Sequence, residues 1–462
     1  MIQRIREIIQ KNQLFNQGER LLIGVSGGPD SLFLLLIMHA LESDFQWKLA
    51  VAHINHGLRG QEACEEEAFV EQWANRLELP FFHHKVDIRE LGRIRKLGEE
   101  EAGRYARFSF FQKAAAEFQA TAVVLGHQAN DQVENFFLRL LRGSGTVGLS
   151  AIPYARPLTN HLRVVRPLLS VSHCEIIAWL EERQIIYCVD PSNDTNAYQR
   201  NQIRNRLIPQ MQEIAPAFEQ HVLHTQILLA ADEAYLQTVM EKAVAEIAQD
   251  PFGLSSMTVT SYLNLPEVLR SRWLRQQFFL LKQGEENLQY QHHQEIERKI
   301  AVNTSYWQYS LPSKVIFMLS CGRLFLLKAD DAIPNFETEF HLPAEEQWPC
   351  SITLESCGGG LALHVLPGEM RKQAGVLGEQ ALNQTFHLRN WRKGDRIALS
   401  NGGHKSVADL FQEKAIPLPW RARMPLFLNQ DTIAFIPGVY TAVSLQPKRA
   451  EKSVYRILLQ KT

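Results

Sequence analysis

The sequence predicts an α/β protein: a parallel-sheet, Rossmann-like domain first, then a helical domain, then a C-terminal domain that is mainly β or α+β. Three patterns predict it. Up to about residue 210, short apolar runs of strand length alternate with longer helical stretches, as in a parallel sheet covered on both faces. From 216 to about 302 the pattern is helical and rich in Leu, Ala, Gln and Glu. After Ala329 that character stops, and short apolar runs with Pro and Gly between them follow, at 361–366, 386–388 and 432–436. A chain of 462 residues is too long for one core, and these changes of pattern set the expected domains at 1–212, 213–329 and 330–462.

Taken in order, 1–15 read as a polar-faced amphipathic helix, which lacks the apolar centre of a signal peptide. Residues 21–25 are a buried strand that breaks into Ser26-Gly27-Gly28-Pro29-Asp30-Ser31 and resumes as an apolar helix from Leu32. Strands follow at 49–54, 81–86, 122–125 and 163–169. Helices alternate with them at 62–77, 99–118 and 129–141, and one capped by Ser172 runs to Arg183. Ligands of such sheets lie beyond the carboxyl ends of the strands. The chemistry-bearing residues fall at those ends, in 26–31, 53–59 and 126–134. Residues 190–194 (DPSND) are turn chemistry.

A strand, a tight glycine turn and a helix N-terminus suit a phosphate. Glycines let the backbone approach an anion, and the free N–H groups of the helix start face it. Ser26 and Ser31 add hydroxyls, and Asp30 can hold Mg²⁺ against the phosphates. The competing reading is an ordinary turn capped by Asp30 or Ser31. The string lacks both the lysine of G-x-x-x-x-G-K-[ST] and the spacing of G-x-G-x-x-G. It resembles instead the SGGxDS pyrophosphate loop of the ATP pyrophosphatase superfamily, whose members adenylate a substrate oxygen and release pyrophosphate.

Further motifs narrow the resemblance. His53-Ile54-Asn55-His56-Gly57-Leu58-Arg59 is similar to the HxNHGLR string of tRNA(Ile)-lysidine synthetases, although single histidines are more often structural. EEAGRYARF (100–108) resembles that family's EAxARxxRY helix, with Gly103 and Phe108 in place of alanine and tyrosine. Arg104 and Arg107, three apart, share a helical face. Leu125 to Asn135 resembles its LGHxxxDQxE block, 142–145 its LRGSG loop, and 200–209 its RNxIRxxLxP segment. RNWRKGDRI (389–397), Lys405 and 421–425 resemble its C-terminal domain. Gly126 would let a base or ribose approach the strand end. His127, Asp131 and Glu134 cluster on the first turns of one helix, where acids also serve the helix dipole.

The resemblance implies a ligase using ATP and Mg²⁺. It would activate carbon 2 of the wobble cytosine in a CAU-anticodon tRNA(Ile) by adenylation and let the ε-amine of L-lysine displace AMP. Ser26, Gly27, Gly28, Pro29, Asp30, Ser31, His53, Arg104 and Gly126 would hold ATP, with Asp30 on the metal. His127, Asp131 and Glu134 would meet lysine, His127 as the proton acceptor. Arg200, Arg204 and Arg206, and the chain beyond 213, would meet tRNA. The alternatives are another adenylating enzyme such as a tRNA thiolase, against which the absent C-x-x-C counts, and a non-catalytic tRNA-binding protein.

Composition restricts the setting further. A formal net charge of -1 leaves nucleic-acid binding to local patches. No apolar run has membrane-spanning length. Six scattered cysteines fit reduced thiols in a cytoplasm and no zinc site. The reading allows a homodimer. In the helical region, Leu269 to Arg275 sets arginines around Trp273, either for RNA or for the core, and His292-His293 reads as surface.

Overall fold

The computed structural model describes residues 1–57, 61–159, 161–189, 199–245, 247, 250–282, 288–302, 304–330, 335–342, 347, 349–354, 359–367, 375–382, 384–448 and 453–460. The expected turn at 190–194 and the pair Leu58-Arg59 lie outside these residues. The chain forms two compact units, Met1–Tyr235 and Leu236–Thr462.

The first unit runs α1 (Ile2–Lys11), β1 (Arg20–Gly24), α2 (Pro29–Phe45), β2 (Lys48–Asn55), α3 (Gln61–Arg76), β3 (Phe81–Lys85), α4 (Ile88–Arg95), α5 (Glu99–Phe118), β4 (Ala122–Leu125), α6 (Ala129–Leu141), α7 (Thr146–Leu149), β5 (Ala155–Pro157), β6 (Arg163–Val165) and α8 (His173–Glu182). α9 (Gln199–Gln202), a π-helical turn (Ile203–Leu207) and α10 (Ile208–Ile214) follow, and then α11 (Phe218–Ala245), whose residues fall in both units. The sheet order is β3-β2-β1-β4-β6-β5. All pairs are parallel except the edge pair β5–β6.

Period-two alternation divides the β1 side chains between two cores. Leu21 and Ile23 pack among α1, α2, α3 and α8, whereas Leu22 packs with Phe110, Phe111, Ala114 and Phe118 of α5 on the other face. Both faces are covered, so the central strands β1 and β4 are buried and apolar from Leu21 and Ala122 onward, while the edge strand β3 is partly exposed. Because β1 lies between β2 and β4, the strand order reverses beside it, and the crevice at its carboxyl end is the natural ligand site. Several elements exceed the expectation, among them α4, α7, and β5, whose strand breaks the β/α alternation. The expected strand at 163–169 is shorter than the apolar run that suggested it.

The second unit contains β7 (Ser255–Thr258), α12 (Val259–Asn264), α13 (Glu267–Leu281), α14 (Tyr290–Ala301), β8 (Tyr306–Leu311), β9 (Val315–Ser320) and β10 (Arg323–Lys328). The antiparallel sheet β7-β10-β9-β8 packs against these helices; β7 lies inside the stretch read as helical (216–302) and β8 to β10 inside the expected helical domain (213–329), so this region mixes helices with a sheet. Trp273 is 2 % exposed and meets Tyr262 edge-on, so it belongs to the core. His293 is half-buried, which corrects its expected surface position. β-structure dominates the remainder: β11 (Glu337–His341), β12 (Cys350–Leu354), β13 (Gly359–Pro367), β14 (Val376–Leu377), β15 (Thr385–Asn390), β16 (Arg396–Ala398), β17 (His404–Ser406), α15 (Val407–Glu413), α16 (Leu418–Arg421), β18 (Pro425–Asn429), β19 (Thr432–Ile436), β20 (Tyr440–Thr441) and β21 (Ser453–Gln460). Buried Asp250 accepts hydrogen bonds from the Phe252 and Leu254 N–H groups, Ser256 Oγ and Trp420 Nε1, and so ties the two parts of this unit together. No helix among the described residues is long and apolar enough to cross a membrane.

Candidate active site

A cavity of about 940 Å³ opens at the carboxyl ends of β1, β2 and β4, toward the upper end of the range for small-molecule sites. Its wall includes Ser26, Gly28, Pro29, Asp30 and Ser31 from the glycine turn, His53 from β2, and Gly126, His127, Asp131 and Glu134 from the β4–α6 junction. Arg107, His173 and Arg204 also line it. Most of the residues singled out from sequence therefore meet in one place.

The turn is built by local bonds. Gly27 has φ +95°, which a side chain would strain, and its carbonyl accepts from Cys188 N at 3.0 Å. Ser31 Oγ accepts from Ser26 N (3.1 Å) and donates to the Gly28 carbonyl (3.0 Å). Pro29 occupies the first turn of α2, whose N-cap is Gly28, and no side chain caps this helix. Its N-terminal donors thus remain available to an anion. Asp30 does not cap α2; its Oδ1 instead meets His173 Nδ1 at 2.9 Å. His53 is 3 % exposed and donates Nδ1–H to the Val25 carbonyl at 2.9 Å. Burial holds its pKa below the ordinary value, so the ring is neutral.

Gly126 has a different physical reason from the one expected. A Cβ there would come within 2.9 Å of the Asp30 carbonyl oxygen, so glycine is required for β4 to approach the start of α2. The two arginines of α5 are placed differently. Arg107 lines the cavity, while Arg104 lies outside the wall, its guanidinium 5.8 Å from the centre of the Phe108 ring. Arg156 approaches the same ring at 5.2 Å. Neither Gly27 nor Arg206 contributes to the wall, and Arg206 is exposed.

His127 sits in a basic neighbourhood. Burial, and then Arg166, Arg200, Arg107 and Arg156, lower its pKa to about 3, and its Nδ1 is buried without a hydrogen-bond partner. A ring this hard to protonate is a weak base, which speaks against a part as proton acceptor for lysine. Arg166, 6 % exposed, donates Nη1 to the Pro153 carbonyl, and burial beside Arg156 and Arg104 lowers it to about 10.

The acidic pair is already engaged. Asp131 Oδ2 accepts from Gln128 N at 2.8 Å and closes a capping box at the start of α6. Glu134 is 1 % exposed and lies under two guanidinium groups, with Arg200 Nε at 2.6 Å and Arg204 Nη2 at 3.1 Å. Arg200 also bonds the Asp131 carboxylate. Burial raises the Asp131 pKa, opposed by Arg200 and the Gln128 N–H. Arg200 and Arg204 come from α9 and the π-helical turn, a backbone irregularity frequent at functional sites.

Sequence reasoning missed His173, Arg156, Arg166 and Glu219. The carboxyl-end rule that placed the other residues also puts the start of α8, after β6, beside the cavity, and His173 is its first residue. Among the described residues no group of three or more His, Cys, Asp or Glu forms a metal cage. A single carboxylate with substrate phosphates is the usual way a protein holds Mg²⁺, and Asp30 fits it.

Residues 1–211 match the family model described as a PP-loop domain, and 386–457 match the TilS substrate C-terminal domain. A Geobacter sulfurreducens protein named tRNA(Ile)-lysidine synthase is 31% identical over 445 residues, covering 95% of this chain and 92% of that protein. A Geobacillus kaustophilus protein of the same name is 30% identical, covering 95% of both chains. A third, from Dehalococcoides mccartyi, is 28% identical over 99% of this chain and 98% of its own.

Proposed function

The chain belongs to the tRNA(Ile)-lysidine synthase family, and we propose from that premise how its N-terminal cavity converts a cytidine of tRNA(Ile) to lysidine. The observation that carries the reading is the convergence, in one cavity, of an uncapped glycine turn suited to phosphates and a pair of carboxylates suited to an amine.

In the first half-reaction, oxygen 2 of the wobble cytosine in a CAU anticodon attacks the α-phosphorus of ATP, and pyrophosphate leaves. The turn 26–31 and the first N–H groups of α2 hold the phosphates, and Arg107 with its basic neighbours offsets their charge. Asp30 would hold Mg²⁺, which when bound draws charge from the phosphate oxygens. In the second half-reaction the lysine ε-ammonium gives up a proton to the Asp131 carboxylate, whose pKa burial raises, the free amine attacks carbon 2, and AMP departs with the original oxygen. Asp131 and Glu134 hold the incoming cation once Arg200 and Arg204 yield their places on the two carboxylates to it. His127 stays neutral and contributes a hydrogen-bonding wall that does not repel the cation.

The residues beyond 213, including the domain proposed at 330–462, contribute tRNA affinity and discrimination through local basic patches. The test is mass analysis of a CAU-anticodon tRNA(Ile) transcript incubated with the protein, ATP, Mg²⁺ and lysine. A gain equal to lysine less water is expected. No gain overturns the proposal, and a sulfur-sized gain with a sulfur donor would favour the thiolase alternative.

A further inference from the structure

The expected chemistry leaves His173 without a task, although it touches the residue on which the metal reading depends. We propose that His173 is a positioning residue for adenylation: by holding Oδ1 of Asp30 it leaves Oδ2 as the oxygen for Mg²⁺. The inference rests on the reading of Asp30 as the metal ligand.

The geometry is specific. An acid in the first turn of a helix ordinarily turns back onto that helix's own N–H groups. Asp30 does not, because Oδ1 is 2.9 Å from His173 Nδ1. The histidine is itself fixed at the backbone. It is the first residue of α8, behind the Ser172–Glu175 capping box, and its N–H donates to Asn130 Oδ1 at 3.1 Å. Asn130 Nδ2 in turn donates to Glu219 Oε2 of α11 at 3.1 Å. A chain of contacts thus runs from α11 through Asn130 and His173 to the phosphate turn. Both partners of the His173–Asp30 pair are partly exposed, with side chains 44% and 29% accessible. A pair this open adds little stability, so its effect is on orientation. Nδ1 donates to the carboxylate whether the ring is neutral or charged. Groups that orient metal ligands in this way typically change metal affinity or activity 10- to 100-fold when removed.

The test compares binding of a non-hydrolysable ATP analogue, bridged at the α,β position, with and without Mg²⁺. It uses the full-length protein and calorimetry, alongside pyrophosphate release. In the parent, Mg²⁺ should strengthen analogue binding. H173A should reduce that gain about 10- to 100-fold while leaving metal-free binding within about 2-fold. H173N should restore most of it, since its amide nitrogen sits the same number of bonds from Cβ as Nδ1. H173Q, whose nitrogen reaches the place of Nε2, should not. If H173A retains the parental gain while D30N loses it, His173 has no positioning part and the metal reading stands. If D30N itself retains the gain, the metal reading fails and this inference falls with it. Asparagine and glutamine variants that both behave as alanine also overturn it. Melting temperatures, expected within about 3 °C of the parent for so exposed a side chain, exclude simple unfolding.

Discussion

The two ends of the cavity meet charge in opposite ways. At the glycine-turn end the serines bond within the turn, but α2 begins without a side-chain cap, and Arg107 faces the cavity among other arginines. At the acidic end both carboxylates are already answered, Asp131 by a backbone N–H and Arg200, and Glu134 by Arg200 and Arg204. An anion can therefore enter a ready site, whereas a cation must displace guanidinium groups from the same chain. The first end is preorganised and the second requires exchange.

The largest expected effect is at the glycine-turn end. Asp30→Ala should reduce pyrophosphate release at least about 100-fold, since one group placed at the reacting phosphates typically contributes that much. Normal release by the folded variant would remove Asp30 from the reaction.

At the acidic end, Asp131→Asn and Glu134→Gln keep shape and remove charge. A charge-assisted hydrogen bond of this kind contributes about 1.5–3 kcal/mol, a roughly 10- to 100-fold rise in the lysine concentration needed for turnover. ATP dependence should stay near the parent's, and adenylated tRNA should accumulate when lysine is scarce. If ATP and Mg²⁺ dependence change first, the acids serve the metal. If only thermal stability falls, Asp131 is a cap and Glu134 an anchor for the arginines. Lysine and ATP titrations beside melting curves separate these outcomes.

The contrast between the two ends shows what sequence carries and what it does not. The phosphate turn was legible because its parts are adjacent: an apolar strand, two glycines and a helix start fall within a dozen residues. The acids were legible as a pair because helical spacing puts them on one face. Their partners were not, since Arg200 and Arg204 lie 66 and 70 residues from Glu134, and His173 lies 143 from Asp30. Gly126 was recognised as special, but the Asp30 backbone that it admits comes from another element. β8 to β10, joined by short turns, were missed inside the expected helical domain, whereas β7 escaped because three helices separate it from its partner β10. No local pattern reports such a pairing.

A moderate effect comes from His127, between the two ends. Its folded pKa of about 3 lies below the ordinary 6.5, so below pH 6.5 the unfolded chain binds the proton that the folded chain refuses. Stability from this residue is therefore full above 6.5 and is lost as pH falls toward 3. Between pH 7 and pH 5 the loss is about 2 kcal/mol. Buried His53, also shifted down, adds to the same trend. Urea unfolding at the two pH values should show His127→Gln to be less acid-sensitive than the parent by about that amount. Equal sensitivity would mean that His127 is readily protonated in the folded protein, and would return it to candidacy as a base.

The smallest effect extends the same contrast, answered charge against unanswered, to the second unit. Within the segment RNWRKGDRI, Arg389 is bound by both oxygens of Asp395 at 2.8 Å and also donates to the Asn390 carbonyl. Asp395 further accepts from the Arg392 N–H, closing the turn. Arg392 is paired with Glu337 at 2.9 Å. Arg423, 9 % exposed, is turned inward onto the Pro419 carbonyl. Arg389 and Arg423 are turned into the fold, whereas the Arg392 pair lies open to solvent. Lys393, exposed at the tip of the turn beside Gly394 (φ +103°), is placed differently. Lys393→Ala should leave the melting temperature unchanged, weaken tRNA binding about 2- to 5-fold at moderate salt, and lower the slope of log affinity against log salt by about 1. Arg389→Ala should instead destabilise this unit by about 1–3 kcal/mol, because it leaves Asp395 without its partner. Its salt slope should remain parental wherever the unit is folded. If the two variants exchange behaviours, the basic segment meets RNA through its bound arginines, and the division between answered and unanswered charge does not hold in the second unit.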